Sequence, residues 1–172
     1  GTSGLTAQAF GAKRHKESTL MLWRAVTVAL CVGVIAFALQ WPIGEFSLWF
    51  MSPEDDQIRT MISDYFYTRI WAVPAGIMLF ALNGWLTGMQ NAVVPMIVAI
   101  LVNILHIGFS YLFSIIGSMS IDGIALASVI AQWTGVIATA LFIIVKYRKQ
   151  LVRIRWSEIV DIKAMKQFFN IN

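Results

Sequence analysis

Apolar residues in this chain do not alternate with polar ones; they come in long blocks. Four blocks, 20–41, 65–87, 92–116 and 123–145, run far past the length of a strand. At about 1.5 Å rise per residue, each covers the ~30 Å hydrocarbon core of a bilayer as a helix. A segment in hydrocarbon must satisfy its own backbone N–H and C=O groups, and a helix does so alone. The pattern predicts an all-α fold, a polytopic membrane bundle of four transmembrane helices spanning 20–145. Residues 1–19 form a loop before it, and 146–172 a basic, amphipathic linker after it.

Punctuation between the blocks refines this. From Gly4 to Lys16 the chain reads as a small-residue turn followed by a basic stretch. Pro42 stops the first span after Trp41, a residue suited to an interfacial aromatic belt. Phe46, Leu48, Trp49, Phe50 and Met51 read as a short interfacial segment. Ser52 is set up as an N-cap, Pro53 as a first helical residue and Glu54 and Asp55 as first-turn acids of a helix that runs into the second span. Pro74 kinks that span, and Arg69 within it either snorkels outward or pairs with Asp64. Short turns at 88–91 and 117–122 make the last three spans antiparallel neighbours, with Pro95 in a first turn and Asp122 capping the fourth span. Beyond Trp156, the residues Ile159, Ile162, Met165, Phe168 and Phe169 alternate near the helical period with Glu158, Lys163 and Lys166, as in an interfacial helix.

Composition agrees: 58% of the residues are hydrophobic and 13% charged. Charge adds orientation. Lys13, Arg14, Lys16 and Arg24 lie at the start, and Lys146, Arg148, Lys149, Arg153 and Arg155 after the last span, whereas acids outnumber Arg59 between spans one and two. Four crossings return the chain to its starting side, and cationic flanks mark the cytoplasmic face, so both ends are expected there. Arg24, one turn into its span, is expected to snorkel to the interface. The net charge of +4 reads as attraction to anionic lipids of the bilayer, with no nucleic-acid partner. The single cysteine, Cys31, lies within the first span and reads as a small buried hydrophobe. No cleavable signal peptide is evident. Gly1-Thr2-Ser3-Gly4 reads equally as a tag remnant or as the end of a helix that starts upstream.

The informative polar residues are those inside the spans. Asn103, His106, Ser110 and Ser114 share one helical face of span three. Ser128, Gln132, Gly135 and Thr139 share one face of span four, and Arg69, Gly76, Asn83 and Thr87 form a looser stripe on span two. Polar groups in hydrocarbon need partners or water, so these faces either hydrogen-bond across helix contacts or wall a hydrated cavity. Asn83, Asn103, His106, Ser110, Ser128 and Gln132 are the cavity candidates. His106 reads either as a neutral helix-contact group or as a proton carrier. Ala127, Ala131 and Gly135 give the small-xxx-small spacing of close helix approach. No phosphate loop, Cys/His metal set or catalytic triad is present in the sequence, so no enzyme is expected and no metal or organic cofactor.

Several segments together resemble the multidrug and toxic compound extrusion (MATE) transporters, and among them the DinF-like branch. Residues 4–12 (GLTAQAFGA) resemble the family's loop between its second and third helices. Tyr67-Thr68-Arg69-Ile70 with Pro74, then 84–91 (GWLTGMQN) with Pro95, resemble its fourth helix and the turn into the fifth; 123–132 (GIALASVIAQ) resembles its sixth. The resemblance implies that the four spans are helices three to six of the amino-terminal lobe of a twelve-helix protein of the inner membrane. The remaining helices and the second lobe would be its partners. It implies export of drugs or organic cations by alternating access, in antiport with H⁺ or Na⁺ as coupling ion. The family's fifth helix often carries Asn-x-x-x-Asp; the matching positions here are His106 and Ser110, so that carboxylate is missing and His106 stands as a partial substitute. Ser128 matches a cavity-facing position of the sixth helix. The alternatives are a flippase of lipid-linked oligosaccharides from the same superfamily, and a non-transporting membrane anchor or assembly subunit.

Overall fold

The computed structural model describes residues 2–53 and 55–160. The expectations for Glu54 and for Ile162, Lys163, Met165, Lys166, Phe168 and Phe169 lie outside the described residues. The helices in chain order are α1 (Thr2–Gly11), α2 (His15–Ala38), α3 (Gln40–Met51), α4 (Asp56–Arg69), α5 (Ala72–Gly88), α6 (Val93–Tyr111), α7 (Ser120–Lys146) and α8 (Trp156–Ile159). A π-helical turn, Leu112–Ile116, finishes α6. The stretches His15–Ala38, Asp56–Gly88, Val93–Ile116 and Ser120–Lys146 are each long and apolar enough to cross a membrane, so the four-span bundle stands.

The starts of α2 and α6 and the ends of α5 and α7 meet at one end, which carries the lysines and arginines and is called the basic end below. The opposite, acidic end holds α3 and the start of α4. Helix α5 is central, packed on α1, α2 and α7, while α7 packs on α4, α5 and α6. Ala75, Leu86, Ala127 and Ala131 are fully buried in these seams. Helix α6 rests chiefly on α7, and Ile97, Ile100, Ile104 and Ile107 on its other face are exposed to the surroundings, as lipid-facing residues are; Cys31 on α2, expected to be buried, is exposed in the same way, beside the exposed Leu30 and Val32.

Two prolines set where helices break. A proline ring clashes with the carbonyl four residues earlier. For Pro42 that carbonyl belongs to Ala38, where α2 ends. Pro42 therefore does not close the first span at Trp41 as expected; the break comes at Leu39, and Pro42 sits in the first turn of α3. For Pro74 the carbonyl is that of Ile70, and the break between α4 and α5 falls there. The chain tightens to Trp71 N–H donating to Thr68 and Val73 N–H donating to Ile70. The indole of Trp133 on α7 donates to the Trp71 carbonyl at 3.0 Å, so a neighbouring helix covers the opened backbone.

Caps differ from expectation at three places. Ser52 takes left-handed backbone (φ 41°, ψ 55°) and ends α3, its hydroxyl bonding back to Trp49. The N-cap of α4 is instead Asp55, extended, with its carboxylate accepting the N–H of Gln57 at 2.8 Å. A carboxylate at a helix N-terminus satisfies an orphan donor and faces the positive end of the dipole. Asp122 does not cap α7; it lies in the first turn with one carboxylate oxygen buried and unpartnered among the described residues. After α5, Gln90 (φ 59°) carries a Schellman closure, with Asn91 N–H donating to Leu86 and Gln90 N–H to Thr87.

The largest departure is at the beginning. Residues 2–11 form a helix, not a turn, because Leu5, Ala7, Gln8 and Ala9 favour helix and Thr6 and Ala9 bury against the bundle. The approach of α1 to α5 depends on Gly88. A Cβ there would lie 2.5 Å from the Thr6 Cβ and 2.6 Å from the Ser3 carbonyl oxygen. Gly88→Ala is therefore expected to destabilise the protein by about 1–3 kcal/mol through overpacking. Gly108→Ala, with nothing within 4 Å of its Cβ, should leave stability unchanged or raise it. Thermal unfolding of both variants in detergent checks this.

Candidate functional site

The six cavity candidates fall into two settings. On α7, Ser128 is buried and its hydroxyl donates to Ile124 of its own helix at 3.1 Å. Gln132, one turn on, turns its amide oxygen toward Gly76 of α5; a Cβ on Gly76 would sit 2.9 Å from it. That oxygen is buried and has no donor among the described residues. The stripes of spans two and four thus meet at Gly76 and Gln132. Asn83, two turns further along α5, also holds a buried, unpartnered amide oxygen.

On α6 the stripe divides. Asn103 is exposed, and its amide donates to Ala99 of the same helix at 2.8 Å. His106, Ser110 and Ser114 are half-buried, and the hydroxyls of both serines have no hydrogen-bond partner among the described residues. Nothing among the described residues joins them to the polar groups of α5.

Two close approaches fix how α6 and α7 align. A Cβ on Gly135 would meet Val102 at 2.5 Å, and one on Gly123 would meet the Ser114 backbone N–H nitrogen at 2.8 Å. The small residues of α7 allow this proximity, as their spacing predicts. In this antiparallel register His106 is level with Ala131 and Ser110 with Ala127. His106, Gln132 and Gly76 therefore share one depth near the middle of their spans. Among the described residues, Asn83, Ser110, Ser114, Gln132 and Asp122 of these helices each hold a buried oxygen without a hydrogen-bond partner.

A cavity of about 310 Å³ opens elsewhere, at the acidic end, between α3, α4 and Ile121. Leu48, Met51, Ile62, Phe66 and Tyr67 line it, and none of the six candidates does. Arg69, at the end of α4, forms no ion pair with Asp64 among the described residues.

The densest polar contacts are ones the stripes do not reveal, at the basic end. Trp85, fully buried, donates its indole N–H to the Ser18 carbonyl at 2.9 Å, and the Ser18 hydroxyl reaches the Met89 sulfur at 3.1 Å. Thr19 stands 2.9 Å from the His15 carbonyl and 3.2 Å from that of Gln150, and accepts the Val152 N–H at 3.2 Å. Asn91 donates to the Tyr147 hydroxyl at 3.1 Å, with the Tyr147 ring edge-on to Trp85. Arg24 does not snorkel into water. It is buried, and its guanidinium bonds the carbonyls of Glu158 at 2.9 Å and Ile159 at 3.4 Å. Lys16 pairs with Glu158 at 2.6 Å, and this bond, with the Arg155 N–H, holds the Glu158 carboxyl below the ordinary carboxylate range. The depressed value means that this pairing is at full strength at neutral pH and fades only as acid protonates Glu158. A serine and a threonine next to a basic cluster were the available signal for this contact.

The MatE family's sequence profile matches residues 1–112. A relative in Escherichia coli (strain K12), "DNA damage-inducible protein F", is 33% identical over 153 residues, covering 87% of this chain and 32% of that protein. The chain therefore spans about a third of the length of the relative it matches.

Gln132 offers a test of the seam itself. A buried acceptor without a donor costs about 1–3 kcal/mol. Gln132→Leu should raise the unfolding temperature in detergent, whereas Ser128→Ala, which only gives up a bond within α7, should change it little.

Proposed function

The chain belongs to the MatE family, whose members are transporters and not enzymes, and from that premise we propose that it supplies part of the cavity of a secondary active transporter. The transporter exports organic cations and drugs across the inner membrane by alternating access, in antiport with H⁺ or Na⁺. Its basic end faces the cytoplasm, by the distribution of lysine and arginine. The observation that supports this reading is the shared depth of His106, Gln132 and Gly76 near mid-span, where the Gln132 amide oxygen is buried without a donor among the described residues. Transporters bind substrate and coupling ion near the bilayer midplane, where discontinuous or polar helix faces converge. A merely structural bundle has no use for oxygens left without donors in hydrocarbon.

The chemistry of these groups suits the class of cargo. Gln132 and Asn83 offer amide oxygens, and Ser110 and Ser114 offer hydroxyls, all able to accept from an ammonium or coordinate a small cation. His106 is the one imidazole among the candidates, which makes it the candidate proton carrier in a segment that lacks the Asn-x-x-x-Asp carboxylate. Substrate cations and protons then compete for the same face of α6, the requirement of an antiporter.

The double variant His106→Ala, Ser110→Ala tests the proposal in the full-length transporter. At about 1 kcal/mol per lost contact in a membrane interior, dye efflux should fall on the order of tenfold at unchanged surface expression. Efflux equal to the parent's would remove α6 from the cavity.

A further inference from the structure

We propose that the basic end carries an anionic-phospholipid site assembled by tertiary contact, a cationic shelf made from the α1–α2 turn and the segment that follows α7. The proposal needs only that the chain spans a bilayer, and stands apart from what it transports.

The shelf is built by folding back. After α7 the chain does not leave the bundle; it returns across the base of α2 and is fastened at three heights. Thr19 holds Gln150 and Val152, Lys16 holds the Glu158 carboxylate, and Arg24 holds the carbonyls of Glu158 and Ile159. Ile159 is buried by this docking. The consequence is electrostatic. Lys13, Arg14 and Lys16 from one part of the chain are brought beside Lys146, Arg148, Lys149, Arg153 and Arg155 from another, all of them exposed. Against them stand Glu17 and Glu158, engaged with Arg14 and Lys16 respectively. Among the described residues, Lys13, Lys146, Arg148, Lys149 and Arg153 have no carboxylate within ion-pair distance.

Charge of one sign, crowded by design of the fold, raises the local potential and costs self-repulsion unless a counter-charge is present. Position identifies that counter-charge. The cations lie at the level where α2 and α6 begin and α5 and α7 end, the headgroup level of one leaflet. Trp156, 68% exposed on the docked segment, and Trp23 on α2 sit at the same edge, as interfacial tryptophans do. A phosphodiester headgroup with its acyl chains along α2 matches both the charge and the flanking apolar surface; juxtamembrane basic clusters bind such lipids.

The site differs from a general attraction of basic loops because it depends on uncharged or acidic groups that hold the segment down. Intact protein in neutral detergent is titrated with phosphatidylglycerol or phosphatidylcholine, and bound lipid is counted by native mass spectrometry. The shelf predicts preferential retention of phosphatidylglycerol, reduced at least tenfold by the combined Lys149→Gln, Arg153→Gln, Arg155→Gln variant and unaffected by Arg59→Gln at the acidic end. Thr19→Val removes no charge yet should weaken retention several-fold. Glu158→Gln provides the opposing sign: net charge alone predicts tighter binding, whereas loss of the fastening predicts weaker binding. Unchanged or tighter retention in both Thr19→Val and Glu158→Gln, equal loss in Arg59→Gln, or displacement of the lipid by glycerol phosphate at equal concentration would each overturn the proposal.

Discussion

The base of α2 carries the architecture. Within two residues, Ser18 and Thr19 tie α2 to two distant parts of the chain: the Ser18 carbonyl receives the Trp85 indole, its hydroxyl meets Met89, and Thr19 binds Gln150 and Val152. The surrounding apolar cluster, Leu22, Leu82, Trp85, Leu86, Met89 and Ile143, draws together α2, α5 and α7. In a bilayer, apolar burial alone does not hold helices together, because lipid tails are as apolar as leucine. Directional bonds and close packing must decide which helices meet and in what register. The basic end is where this chain concentrates its directional bonds.

The two helix breaks follow the same rule. Irregular backbone is tolerated at membrane depth only where protein covers it. The Pro74 break is covered on two sides: Trp133 donates to the Trp71 carbonyl, and the Trp71 ring lies edge-on to Phe37 at 4.7 Å. Gly33 lets α2 approach Pro74 itself, where a Cβ would stand 3.1 Å from the proline ring. The Pro42 break needs less cover, because it falls where α2 leaves the bundle and α3 turns Trp41, Trp49 and Phe50 outward. One proline is thus part of the interior, and the other marks its edge.

How much of this could be read in advance divides along the range of the forces. The four spans were legible because length and hydropathy are local, and so was the kink at Pro74, which is a property of one ring. The small-residue face of α7 was legible too, since Ala127, Ala131 and Gly135 repeat at helical spacing. Illegible were the features decided by distant partners. Arg24 looks like a snorkelling residue until a segment more than a hundred residues away lies over it. Residues 2–11 look like a loop until Gly88 gives Thr6 a surface to bury against. Ser52 and Asp55 are both good caps locally; that Ser52 spends its hydroxyl on Trp49 decides between them.

The polar groups themselves show two different solutions to one problem. At the basic end Ser18, Thr19, Arg24, Trp85 and Asn91 have all found partners, and the result is firm attachment. Along mid-span, Gln132, Asn83, Ser110 and Ser114 keep oxygens without donors among the described residues. A chain under selection for stability alone would have replaced these with leucine or alanine, which costs nothing in hydrocarbon. Gln132 lies level with His106, while the neighbouring seam at Ala127, Ala131 and Gly135 packs to contact, which separates what holds the helices together from what is left open for a partner. An anchor at one end and under-satisfied oxygens nearer the middle are the division of labour that the proposed alternating access would use: one part keeps the helices together as a body, and the other exchanges partners.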